Sequence, residues 1–264
     1  MKNPAFLWGM LLLTAFLSLP ISCKKQPKET EKPKLIPTSV TDIDENVYPV
    51  IRLDDKLWMT ENLKVTQYDT QSPCVNDTIF EATDKQGVDC NRPYFKDARN
   101  FKESPFTDGL NSVSRSALGL LYNWCAAAGT TGNNTTVSDT VQGICPNGWR
   151  LPLPADFEVL CDYFGGKELA GKKLKSSNGW YSYSGTDESG MHCYPAGLAI
   201  KNDISLVGQQ TMFWSSKSEI GNNAKADILR LFYNLDNAEI KSNNKIQANS
   251  VRCILDLDNS YVGF

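Results

Sequence analysis

The chain has one histidine in 264 residues, His192, and that scarcity closes off several chemistries. Zinc sites built on two or three histidines cannot form, and a Ser-His-Asp or Cys-His device has only His192 to use. No C-x2-C pair occurs, so a zinc knuckle is not expected either. No Lys/Arg cluster interleaved with aromatics appears after residue 40, which makes nucleic acid a poor partner. No apolar run reaches the roughly 20 residues of a bilayer-spanning helix. Neither a metal nor a cofactor is expected.

What is present places the protein outside the cytoplasm. Lys2 precedes an apolar run of about fifteen residues, 5–19, which suits the core of an export signal. Leu19-Pro20-Ile21-Ser22-Cys23 follows and resembles a bacterial lipoprotein cleavage site, with Pro20 where leucine is usual. Residues 1–22 are therefore read as a lipoprotein signal peptide and Cys23 as the acylated first residue. The partner implied is a membrane, held through buried acyl chains. The expected location is the outer membrane or cell surface.

Residues 23–40 read as a lipid-anchored tether, because three prolines and alternating charge leave almost nothing to bury. The net charge of −3 is uneven. Six lysines and two glutamates lie in residues 1–40, leaving 21 bases and 28 acids in a body of about −7. The whole chain is 41% hydrophobic and 22% charged, and its body, 41–264, is expected to form one globular domain.

Apart from Cys23, seven cysteines remain: 74, 90, 125, 145, 161, 193 and 253. The odd number leaves at least one free thiol in a monomer. Cys74 and Cys90 bracket a polar segment, and a bridge there would stabilise it by roughly 3 kcal/mol in the chain-entropy model. Cys125 and Cys161 stand in helical apolar patterns and are expected as buried thiols.

Residues 47–53 and 57–60 read as a hairpin around Asp54-Asp55. Residues 69–115 are polar and aperiodic, and are expected as an irregular insertion stapled by Cys74 and Cys90. Helices are expected over 120–128, ended by Gly129, and 154–164, opened by Pro154 and stopped by Gly165-Gly166. Short strands are expected at 191–199, 211–215, 228–234, 238–241 and 250–255. The expected class is α+β, with two short helices, a small twisted antiparallel sheet and long loops.

Seven blocks then stand in a recognisable order: Asp42 to Tyr48 (DIDENVY), Trp58 to Leu63 (WMTENL), Gly119 to Trp124 (GLLYNW), Ile144 to Pro152 (ICPNGWRLP), Pro195-Ala196-Gly197, Phe213 to Ser216 (FWSS) and Ser250 to Cys253 (SVRC). Over residues 42–256 the chain resembles the Fibrobacter succinogenes major paralogous domain, FISUMP. The resemblance implies a secreted or lipid-anchored bacterial surface protein, a C-type-lectin-like fold related to the formylglycine-generating enzymes, and a Cys145–Cys253 disulfide. Departures include Cys125 where an aromatic is usual and Leu153 where a Ser/Thr helix cap is usual, a loss of about 1 kcal/mol.

Three function classes follow. The first is a non-catalytic binding or adhesion module for a glycan or protein partner, with Trp180, Tyr181 and Tyr183 as ligand-contacting aromatics. The calcium-lectin triplets Glu-Pro-Asn, Gln-Pro-Asp and Trp-Asn-Asp do not occur, though Asp187, Glu188 and Asp203 offer carboxylates of the kind calcium takes. The second is an enzyme related to the formylglycine-generating group, which needs a reactive cysteine pair that the thiol assignments do not supply. His192 and Cys193, adjacent on an expected strand, point to opposite faces. The third is a structural envelope component. The first is preferred, and no catalytic residue is expected.

Overall fold

The computed structural model describes residues 34–262 apart from 73, 75–76, 83–91, 131–139, 184, 220–223 and 259. The export signal, Cys23 and Cys90 lie outside the described residues. The chain divides into Met1–Lys32 and a compact unit, Pro33–Phe264, to which the following description applies.

Strand Val47–Leu53 turns through Asp54-Asp55 into Lys56–Met59, as the hydrophobic alternation implies. Asp54 takes the left-handed conformation (φ 58°), which aspartate tolerates. Ser39–Thr41 pairs with one side of this hairpin and Ile254–Asp256 with the other, giving a four-stranded sheet. A three-stranded antiparallel meander, Gln210–Ser218, Lys225–Phe232 and Ala238–Asn244, forms the second layer. A six-stranded sheet runs in the order Phe80–Glu81, Tyr94–Asp97, Leu120–Asn123, Ala248–Asn249, Leu198–Ile200, Asp203–Ser205.

The expected α+β class with one small sheet is therefore wrong. The described residues are mostly β, with sheets of four, six and three strands and a short parallel pair, Lys34–Leu35 with Tyr261–Val262. Among the described residues there are three α-helices: α1 Trp124–Ala128, α2 Pro154–Tyr163 and α3 Lys167–Leu174. Residues 120–123, expected as helix, are a strand buried on both faces. Such a strand shows no alternation, and its apolar run looks the same as a short buried helix. Asn123 then starts α1 by accepting the Ala126 N–H, and Gly129 ends it with φ 66°.

Residues 69–115, expected as an irregular insertion, contain regular elements as well as loop. They supply two strands of the six-stranded sheet and two 3-10 helices, Ala98–Asn100 and Pro105–Ser112. The expected strand 191–199 also fails over most of its length, because His192 (φ 49°) and Gly197 (φ 72°) break the extended backbone. The cap missing at Leu153 is partly replaced from inside α2. The Asp156 carboxylate accepts the Leu153 N–H at 2.7 Å and is clamped by Arg150 at the same distance.

Cys145 and Cys253 are bridged across 108 residues, tying the segment before α2 to the last core strand. Closing a loop of that length stabilises the chain by about 4–5 kcal/mol in the chain-entropy model. The Cys74–Cys90 staple is not formed: Cys74 is a free thiol whose Sγ donates to the Gly129 carbonyl at 2.6 Å. Ser72 likewise donates to the Gly143 carbonyl at 3.0 Å, so hydrogen bonds tie this segment to the residue that ends α1, Gly129, and to the loop residue Gly143. Cys125, expected as a free thiol, is disulfide-bonded.

Alkylation without reductant in denaturant, followed by peptide mapping, should label Cys74, Cys161 and Cys193. Cys125, Cys145 and Cys253 should label only after reduction. Labelling of Cys145 or Cys253 in the first step would refute the bridge.

Candidate functional site

The segment that follows α3 builds the aromatic face. Trp180, expected as a ligand contact, is instead core: it is 3% exposed, and its indole N–H points to Ser176 Oγ and the Cys193 carbonyl, both at 3.1 Å. Tyr181 and Tyr183 are the members of that group that reach the surface. Tyr181 packs edge-on against Phe106 (centroids 4.8 Å apart) and Tyr233 (5.4 Å), and Tyr233 meets Phe232 at 5.1 Å. Edge-to-face packing of this kind fixes ring orientation as well as burying area. Phe106, Tyr183, Leu206 and Leu235 each leave 37–40% of their surface in solvent. An open groove of about 340 Å³ lies between Tyr183 and the Asn234-Leu235-Asp236 turn.

Two glycines allow these parts to meet. A Cβ on Gly208 would lie 1.8 Å from the Phe106 carbonyl, and one on Gly171 would lie 2.1 Å from that of Asn237. The Gly208 carbonyl also accepts the Tyr181 N–H at 2.7 Å, and the Asp236 carbonyl accepts that of Lys172 at 2.8 Å. Phe106 is the contributor that sequence reading passed over, because it sits in the supposedly irregular 69–115 segment. Phe232 and Tyr233 were visible only as the end of a strand.

Lys175 lies under this face, fully buried. Its ammonium donates to the carbonyls of Phe232, Tyr233 and Leu235 at 3.2, 3.2 and 2.8 Å. It also sits 5.4 Å from the Trp180 ring centre and 5.1 Å from that of Tyr183. Burial lowers its pKa to about 8. Lys245 contrasts with it: fully buried against the Trp124 ring at 4.0 Å, it has no hydrogen-bond partner among the described residues, and burial lowers its pKa to about 8 as well.

The remaining candidates resolve into structural roles. His192 is not on a strand; its ring Nδ1 meets Asp187 Oδ2 at 2.5 Å, and the other Asp187 oxygen accepts the His192 N–H at 2.9 Å. Asp187 is therefore occupied, and Glu188 faces Lys173. Asp42, Asp44 and Asn46 alternate as calcium-loop ligands do, but internal donors fill the two carboxylates. Asp42 accepts from the Tyr48 hydroxyl at 2.6 Å and from the Asp44 and Asn46 N–H groups, while Asp44 accepts from Thr66 and Gln67. Among the described residues no three His, Cys, Asp or Glu side chains converge as a metal site. No helix among them is long and apolar enough to cross a membrane.

The free thiols are the reverse of reactive ones. Burial raises the pKa of Cys161 to about 12 and that of Cys193 to about 11.

The geometry defines a mostly β, disulfide-bridged domain that presents a rigid aromatic surface beside an open groove. The family model described as Fibrobacter succinogenes major domain matches residues 51–255, and the chain belongs to that family. Comparison with curated proteins and with solved structures gave no match. The C-type-lectin-like relationship expected from the sequence is thus carried by no structural likeness, and the sheet arrangement departs from the α+β form it implied.

The two lysines predict opposite mutational outcomes. Each binds its proton less tightly in the folded chain, at about 8, than in the unfolded chain, near the usual lysine value. Between those values the unfolded state holds more protons, so each lysine's contribution becomes more favourable as pH rises, and below about 8 its full penalty remains. Lys245→Met should match or exceed wild-type stability at pH 7 by up to about 4 kcal/mol, with the gap closing towards pH 10. Lys175→Met leaves three carbonyls without their donor and should lose about 1–3 kcal/mol at pH 7. Urea unfolding from pH 7 to 10 measures both.

Proposed function

We propose that the protein is a lipid-anchored, non-catalytic binding module of the cell envelope that docks a partner protein on its aromatic face. The observation that carries the proposal is the run of interlocked rings Phe106, Tyr181, Tyr233 and Phe232, with Phe106 partly exposed, and the groove that exposed Tyr183 and Leu235 line beside the 234–236 turn. Rigid aromatics lose little entropy on binding, and partly exposed leucines beside them suit a polypeptide surface better than a sugar ring. Arg230, stacked over Phe232 at 5.7 Å and paired with Glu239, and Lys172 supply the polar rim such interfaces have. The export signal and Cys23 support attachment to the outer membrane or cell surface. The elevated pKa values of the buried thiols argue against cysteine catalysis of the formylglycine-generating kind.

In cells, a photo-crosslinker at Leu235 should capture one defined envelope protein. The double variant Phe106→Ala, Tyr183→Ala should weaken binding of that protein by roughly thirtyfold, the equivalent of about 2 kcal/mol. Undiminished binding would refute the aromatic face as the contact. Glycan-array binding abolished by the same variant would replace the protein partner with a glycan. Cys23→Ser should move the protein from the membrane to the soluble fraction, and retention in the membrane would refute the lipid anchor.

A further inference from the structure

A second concavity lies between the hairpin sheet and the six-stranded sheet, built from residues that the aromatic face does not use. It is a cleft of about 310 Å³ whose wall includes Asn46, Lys64, Glu81, Asp97 and Arg99, with Phe95 among its apolar lining. Strand Tyr94–Asp97 supplies Phe95 and Asp97, and its parallel neighbour Phe80–Glu81 supplies Glu81.

The hydrogen-bonding capacity left over in this wall is specific. Lys64 gives one of its three donors to Glu61 at 2.9 Å and has no other hydrogen-bond acceptor among the described residues. Arg99 binds Asp97 through Nε and Nη2, at 2.7 and 2.6 Å, which leaves the donors of Nη1 unspent. The Asn46 amide donates to both Asp42 oxygens at 2.9 and 3.2 Å, so its own oxygen remains an acceptor. Glu81 has no ion-pair or hydrogen-bond partner among the described residues. Unspent donors thus stand beside unspent acceptors, and the four charged groups on the wall cancel.

That cancellation decides the ligand class. A simple anion would meet Glu81 and Asp97 as well as Lys64 and Arg99, and an apolar molecule would strip water from four charges without replacing their hydrogen bonds. A polyol differs from both, because each hydroxyl donates and accepts, and the C–H face of a sugar ring can lie on Phe95. We propose that this cleft is a binding site for a single neutral hexose residue, free or terminal on a glycan. It is separate from the aromatic face and stands whether or not that face docks a protein.

Saturation-transfer NMR on the full-length mature lipoprotein in detergent, with glucose, galactose and mannose in turn, tests the assignment. At least one of the three should receive saturation. Glu81→Ala, at an exposed position, should raise the dissociation constant of that sugar at least threefold, while Tyr183→Ala leaves it within twofold. Transfer to none of the three, a change below threefold in Glu81→Ala, or a loss above twofold in Tyr183→Ala would overturn the proposal. Displacement of the sugar by the zwitterion alanyl-alanine at equal concentration would also overturn it, in favour of a peptide terminus. Loss of partner-protein docking with sugar binding intact would sink only the aromatic-face reading.

Discussion

One buried guanidinium holds the described body together. Arg252 is almost completely enclosed, and its three nitrogens reach two separate places: Nε donates to Asn62 Oδ1 at 3.0 Å, while Nη1 donates to the Met191 carbonyl and Nη2 to the adjoining His192 carbonyl at 3.1 Å. Its Cζ lies over the Phe213 ring, 5.0 Å from the ring centre. The residue next to it, Cys253, is bridged to Cys145. The hairpin sheet, the loop at 191–192, the three-stranded meander and the disulfide therefore converge on one side chain. Burying a charge is unfavourable unless its donors are satisfied, so every partner must be in place at once. Asn62 is itself committed, donating to the Leu118 carbonyl and Ser250 Oγ.

The aromatic face is one step from this hub. The loop fixed by Arg252 runs into Cys193, whose carbonyl accepts the Trp180 indole N–H and the Ser176 N–H. Trp180 in turn borders Lys175, and Lys175 draws in the carbonyls of the 232–235 turn. Surface rings are thereby held by buried polar bonds, and such an arrangement can present apolar area without the rings collapsing onto one another. The polar cleft depends on a different support, the alignment of Tyr94–Asp97 with Leu120–Asn123 in the six-stranded sheet.

What was legible in the sequence follows the range of each signal. The hairpin at Asp54-Asp55, the Pro154 start of α2 and the Gly165-Gly166 stop are local, and local chemistry settles them. The Cys145–Cys253 bridge came from family blocks, because nothing local specifies a pairing across 108 residues. The six-stranded sheet was missed because its strands are two to four residues long, too short for alternation to register. Of the three aromatics expected to meet a ligand, Tyr181 and Tyr183 reach the surface. Trp180 does not, since its place is set by Cys193 and Ser176, which no spacing rule connects to it. Phe106 and Lys175 belong to the site for equally non-local reasons.

The Arg252 hub is tested most directly by a double-mutant cycle on Asn62→Ala and Arg252→Met, read by urea unfolding. A hydrogen bond to a buried charge should give a coupling energy of about 1.5–3 kcal/mol, with the double variant less destabilised than the sum of the singles. Additive losses, with a coupling within about 0.5 kcal/mol of zero, would contradict the claim that the two residues act as one support.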